Sequence, residues 1–182
     1  KSFGMDAMAR ERFEKQIARE ERAARGEKEP EKKNKSGGAG PLAGEQVAMS
    51  VLPIIELCRF CPGMVTAMGV SMGLTGQAIL SKGTIEQKKR WALDLLTMDK
   101  IGAWAITEPE SGSDAFGAMK ATARREGDEF VLNGNKTFIT NGPYAETIVF
   151  ICKLDEGNPP QDRKIVTFVL ERGMEGFEQT KP

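Results

Sequence analysis

The 182-residue sequence contains no histidine. That absence removes Ser-His and Cys-His nucleophile pairs, and every His-containing metal centre, from the chemistry open to it. Net charge is missing as well: 26 Lys and Arg balance 26 Asp and Glu. No broad field therefore favours phosphate backbones or anionic membranes, and nucleic acid is not an expected partner. No apolar run approaches the roughly 20 residues that cross a bilayer, and the opening KSFGMDAMARERFEK lacks the apolar core of a secretory signal. The expectation is a protein of a soluble compartment without a transmembrane segment. Cysteine is scarce, and three of them, an odd number, argue for a reducing environment rather than a disulfide framework. Cys58 and Cys61 form a C-x-x-C pair, but no second pair completes a zinc site. Two buried thiols are the simpler expectation, and no metal ligands are assigned.

What is present, 40% hydrophobic and 29% charged residues, suffices for one substantial core or two small ones. Three segments follow from the patterning. Residues 1–44 form a charged helix and a flexible linker: Met5, Ala9, Phe13 and Ile17 recur every fourth position, and GEKEPEKKNKSGGAGPLAG then has almost no large apolar residues. A docking helix is possible there, and a solvated helix with one weak stripe is the simpler reading.

Residues 45–99 read as a partial helical domain of three helices. The first contains Pro53, the second carries the stripes Met64, Met68, Met72 and Gly69, Gly73, Gly76, and the third opens on a Thr84/Gln87 capping box. The smooth glycine face predicts a close neighbour, a helix in preference to an apolar ligand. Residues 100–182 switch to strand-like alternation, with β-rich runs at IGAWAIT, MKATARRE, EFVLN, KTFIT, ETIVFICK and KIVTFVL. Turn signals at Gly127-Asp128, Asn133-Gly134 and Asn141-Gly142-Pro143 separate them. Helices followed by strands imply an α+β class with segregated regions.

Two stretches in the β region carry possible chemistry. In AITEPESGSDAFG, the turn around Ser111, Gly112, Ser113 and Asp114 can aim several backbone N–H groups and hydroxyls at a diphosphate, although the same residues suit an ordinary Asx or Ser turn. In NGNKTFITNG, alternation places Phe138 and Thr140 on one face, an aromatic plane beside a hydroxyl. That pair suits a flat heteroaromatic ligand, and equally a core phenylalanine next to an exposed threonine.

Taken together, Gly83-Thr84, Glu86-Gln87, A-I-T-E-P-x-S-G-S-D-x-x-G and G-x-K-x-F-I-T-N-G resemble, in order and spacing, the flavin-binding stretch of acyl-CoA dehydrogenases. The resemblance spans roughly residues 60–182 and leaves out the charged segment before Gly44. It implies N-terminal helices followed by an antiparallel, β-barrel-like middle domain, with the family's C-terminal four-helix bundle absent from this chain. It also implies FAD as cofactor, an acyl-CoA thioester as substrate, an electron-transfer flavoprotein as acceptor, and a homotetramer when full length. The corresponding process is fatty-acid β-oxidation, in the cytoplasm, or in the mitochondrial matrix if the source is eukaryotic.

Carried over by position, Trp104, Ile106 and Thr107 border the isoalloxazine edge, and Gly112 and Ser113 lie near the diphosphate, Ser113 also near the bound thioester. Phe138, where a tryptophan is frequent in the family, stacks on the flavin. Ile139 adds backbone contacts, and Thr140 bonds the hydride-accepting nitrogen. Val70 and Leu74 line the acyl channel. The base, a glutamate in the family, matches no residue here, and neither Glu108 nor Glu110 is assigned that role; Glu110 itself stands where many members have glycine. Same-fold alternatives are an acyl-CoA oxidase or a flavin monooxygenase. A non-catalytic binding protein on this scaffold is the alternative of a different class.

Overall fold

A computed structural model describes residues 5–27 and 41–181. Most of the expected linker lies outside them, and its last residues belong to a helix that starts at Pro41. The first helix, Met5–Ala24, is docked rather than solvated. Phe13 and Ile17, one turn apart, are 7% and 5% exposed and join the core. Flanking charges align the helix: Glu20 accepts from the Lys88 ammonium at 2.6 Å, Glu21 from Lys89 at 2.5 Å, and Arg10 pairs with Asp99. A narrow stripe suffices because its charged borders find partners instead of water.

The helix Pro41–Phe60 continues through Pro53. Its apolar side chains Leu52, Ile54, Ile55 and Phe60 are exposed, as are Cys58 and Cys61. The expected burial of these two thiols is therefore not met, because the apolar side chains around them are themselves left in contact with solvent. The next helix, Pro62–Lys82, widens to a π-helix over Gly69–Gly76. By length and composition alone its 21 residues could cross a membrane, contrary to the expectation that no run comes close. Core helices share these properties, and here Ser71, Thr75 and Gly76 are buried.

The neighbours of this helix differ from the expected glycine stripe. A Cβ on Gly69 or Gly73 would meet nothing within 4 Å, whereas one on Gly76 would lie 3.2 Å from Leu95. The close approach is instead made by a strand, across Ser71 and Thr75. The last helical stretch, residues 85–96, opens on the expected capping box: Thr84 Oγ1 accepts from Gln87 N at 3.2 Å, and Gln87 Oε1 from Thr84 N at 2.9 Å.

Five strands follow: β1 Gly102–Ala105, β2 Thr122–Glu126, β3 Glu129–Asn133, β4 Thr147–Asp155 and β5 Ile165–Glu171. β4 is the spine, buried without interruption from Thr147 to Lys153, as a strand covered on both faces should be. β5 runs antiparallel along one of its edges. β1 and β2 lie end to end along the other, parallel to β4, beside 147–150 and 153–155 respectively. Among the described residues, β3 pairs only with β2.

The sheet is therefore mixed and open, not an antiparallel barrel. Among the described residues the outer strands β3 and β5 each pair with one neighbour; their Phe130 and Phe168 rings touch, with centroids 5.1 Å apart, but no ladder between them closes a ring. The sheet joins the helices at Gly102, whose N–H donates to Ser71 Oγ at 2.8 Å. Only glycine fits there, since an added Cβ would stand 2.9 Å from Thr75 Cβ and Cγ2.

The expected strand KTFIT does not form. Phe138 and Asn141 have φ of +54° and +66°, which takes the chain out of the extended region and into a series of turns. Alternation therefore cannot be what sets Phe138 and Thr140 side by side.

Candidate functional site

β1 and β2 are two halves of one interrupted strand position. Opposite Ile151 and Cys152 the chain leaves the edge of β4, makes an excursion over residues 106–121, and returns to the same edge. Lys153 N donates to Ala121 O at 2.8 Å where it re-enters. Within the excursion, Glu108 and Ser111 exchange two main-chain hydrogen bonds at 3.1 Å across Pro109 and Glu110. Ser111 Oγ donates to Asp114 O at 2.6 Å, and Asp114 Oδ1 accepts from Gly117 N at 3.1 Å. This Ser-Asx turn exposes Gly112 and Ser113. Their main-chain N–H groups have no acceptor among the described residues.

A buried ion pair holds the excursion. Glu108 and Lys136 side chains are 5% and 6% exposed, with Lys136 Nζ 2.9 Å from Glu108 Oε1 and 3.0 Å from Ile106 O. The Glu108 carboxylate also accepts from Lys120 N at 2.7 Å and Ala121 N at 2.9 Å. Burial, the largest single influence, pushes the Glu108 pKa upward; the two N–H donors and the ammonium together outweigh it and hold the carboxyl below its usual range. At nearby Cys152 the balance is reversed: burial outweighs the Lys136 ammonium and raises the thiol to about 11, so it is neutral at physiological pH.

The turns after Lys136 form the second wall. Thr137 N donates to Thr107 O at 2.9 Å, which fastens this segment to the exit of β1. Phe138 then stands 92% exposed in its left-handed conformation. Such strain at an exposed aromatic is the sort of outlier that marks a binding position. Asn141 anchors the far end, its amide donating to Ala67 O and Gly102 O, both at 2.9 Å. Between this segment and the sheet runs a cleft of about 990 Å³, lined by Phe138, Ile139 and Thr140, by Ala105, Ile148 and Phe150 from the sheet, and by residues 176–181. Gln179 holds that last stretch in place by donating to Gly142 O and Ala145 O.

Of the residues singled out from the sequence, Phe138, Ile139 and Thr140 meet in this cleft. Ile106 and Thr107 do not line it, but their carbonyl oxygens accept from the lining residues Lys136 and Thr137. Trp104, half-buried, alternates with Ala105 and so projects from the opposite face of the sheet. Gly112 and Ser113 sit on the exposed turn and do not line the cleft, nor do Val70 and Leu74 on the widened helix. The sequence assigned no site role to Lys136 or Glu108, and marked Asn141 only as part of a turn. All three fall inside the quoted motifs, but nothing in spacing tells a buried charge or a left-handed amide from its neighbours. The arrangement fits a flavin dinucleotide in kind: an open aromatic face beside a hydroxyl, and a separate turn with free N–H donors for an anion.

Comparison with known proteins agrees. The model of the acyl-CoA dehydrogenase N-terminal domain matches residues 5–99, and that of the middle domain matches residues 103–182. The likeness thus includes the charged first helix, which the sequence motifs had left outside it. The mitochondrial isovaleryl-CoA dehydrogenase of Pongo abelii is 35% identical over 131 residues, covering 72% of this chain and 31% of that protein. The short-chain specific acyl-CoA dehydrogenase of Clostridium acetobutylicum is 36% identical over 135 residues, covering 74% and 35%. The crystal structure of a glutaryl-CoA dehydrogenase from Mycobacterium smegmatis in complex with FADH2 superposes with a TM-score of 0.62 at 31% identity, covering 69% of this chain and 30% of that one. The chain spans about a third of the length of the curated relatives it matches.

Proposed function

The chain belongs to the acyl-CoA dehydrogenase family, and from that premise we propose that it forms part of the FAD-binding bed of an enzyme that introduces an α,β double bond into an acyl-CoA thioester. The observation that carries this reading is the placement of the exposed Phe138 ring and Thr140 on one wall of a large cleft whose segment is hydrogen-bonded to the exit of β1. When bound, FAD supplies the hydride acceptor. This chain's own residues bind and orient it. Phe138 offers its face to the ring, and Thr140 Oγ1 donates toward the reacting nitrogen. Ile139, Ile106 and Thr107 border the ring system, Trp104 with its main chain alone since its side chain points to the other face of the sheet, and the free N–H groups of Gly112 and Ser113 take the diphosphate. Ser113, Val70 and Leu74 are assigned to the substrate, the last two along its acyl chain. The base is not assigned to this chain; Glu108 is unsuited to it, since its carboxylate is already occupied by Lys120 N, Ala121 N and Lys136. An electron-transfer flavoprotein as acceptor, a tetrameric assembly, and a cytoplasmic or matrix location complete the proposal.

The test is direct. The full-length protein that carries this chain should purify yellow, or take up FAD after reconstitution, and should reduce an electron acceptor in the presence of acyl-CoA; this chain alone, to which no base is assigned, is not expected to turn over. A colourless protein that FAD does not reconstitute defeats the reading, and rapid oxygen consumption in place of acceptor reduction would move it to the oxidases. Thr140→Ala should slow flavin reduction in stopped flow by about tenfold or more while leaving substrate affinity nearly unchanged.

A further inference from the structure

We propose that Glu108 and Lys136 are a positioning pair for the flavin, an inference that rests on the FAD reading above. Together they hold three pieces of chain that no single element would keep in register. Through Lys120 N and Ala121 N, Glu108 gathers the end of the excursion onto its beginning. Through Lys136 it grips the segment that carries Phe138 and Thr140. The separation in sequence is 12 and 13 residues for the first two contacts and 28 for the third. Without the pair, the hydrogen bond from Thr137 N to Thr107 O is the one main-chain link between the two walls among the described residues.

The pair also has an electrostatic reach. Lys136 Nζ sits 3.0 Å from the carbonyl oxygen of Ile106. In a trans peptide the N–H points opposite to the C=O, so the ammonium lies at the negative end of the Ile106–Thr107 unit and leaves its positive end facing away. That end, Thr107 N–H, has no acceptor among the described residues. A free donor on a peptide polarised in this way favours negative charge at the atom it meets, and a flavin gains negative charge on reduction. Lys136, which also lines the cleft, thus biases the site toward negative charge through this peptide.

The test uses the protein in its FAD-bound form and the double variant Glu108→Gln/Lys136→Met. The exchange removes both charges at nearly constant volume, and replacement of a buried pair in this manner commonly leaves stability close to unchanged. Dissociation constants are measured for oxidised and for reduced FAD, with the thermal midpoint of the apo-protein as a control. The double variant is expected to melt near the wild type, to bind oxidised FAD about tenfold more weakly, and to lose still more affinity for the reduced form. A folded double variant with wild-type constants for both forms overturns the inference and leaves the FAD reading standing. An equal loss for both forms overturns the electrostatic part, since a staple alone would not discriminate. Wild-type protein that does not bind FAD removes the reading and this inference together. Should the double variant fail to fold, Glu108→Asp keeps both charges and withdraws the carboxylate by one methylene; it should weaken oxidised and reduced FAD alike, and wild-type constants for both overturn the positioning role.

Discussion

Phe138 combines two properties that stability alone would not select: an exposed aromatic ring and a left-handed backbone. The conformation costs a non-glycine residue about 1–2 kcal/mol. Phe138→Gly should relieve that strain, against which glycine's greater freedom in the unfolded chain counts about 0.5–1 kcal/mol. The apo-protein of this variant is therefore expected to melt at or slightly above the wild type while FAD affinity falls; a clear loss of apo stability would show that the ring packs in a way its exposure denies.

Thr75 presents the opposite case. It is fully buried, and its hydroxyl is the one buried side-chain polar atom without a hydrogen-bond partner among the described residues. Thr75→Val keeps the shape against Gly102 and should stabilise the protein by about 1 kcal/mol, read from denaturant midpoints. Gly102→Ala at the same contact should destabilise by about 1–3 kcal/mol through overpacking.

Among elements, the excursion between β1 and β2 depends most on ionisation. The carboxyl of Glu108 is held below its ordinary value of 4.5 in the folded state. A depressed carboxyl contributes stability that is fully present above the unfolded pKa and is lost as pH falls through the folded value. At pH 7, Glu108→Gln strands the buried Lys136 ammonium and is expected to cost about 3 kcal/mol. The gap between wild type and variant should close as the pH is lowered through the folded pKa, because acid protonates Glu108 in the wild type too. Thermal midpoints across that range decide it, and a gap that persists in acid would place the stabilisation elsewhere.

The helices divide differently. Cys58 and Cys61, exposed on and just after the apolar Pro41–Phe60 helix, should react with a thiol reagent in the native protein at pH 8. Cys152, buried in β4 with its pKa near 11, should react only on unfolding.

At the scale of the whole molecule, a helical layer and a mixed sheet share one hydrophobic core, and a few specific hydrogen bonds fix how they meet. Ser71 receives Gly102 N–H, Asn141 bridges Ala67 and Gly102, and Glu171 receives both Arg90 and Trp91 across to β5. A ligand that binds only the folded arrangement should stabilise all of it: FAD at 100 times its dissociation constant contributes about 2.7 kcal/mol. An FAD-dependent rise in the thermal midpoint is therefore expected, and should be smaller in Phe138→Gly at the same FAD concentration.

Local chemistry determined what could be read without coordinates. The Thr84/Gln87 box, the periodicity of the helices, the alternation of β1, β2, β4 and β5, and the two motifs around Gly112 and Thr140 all lie within a few residues of the physics that produces them. Tertiary structure decided the rest. That the first helix docks depends on Lys88, Lys89 and Asp99 being opposite its charges. That KTFIT is not a strand depends on Asn141 finding Ala67 and Gly102. The sheet is open and partly parallel because β1 and β2 share one edge of β4, a pairing between segments tens of residues apart that alternation cannot encode. Glu108 and Lys136, 28 residues apart, look like any surface charges until the fold removes the water around them.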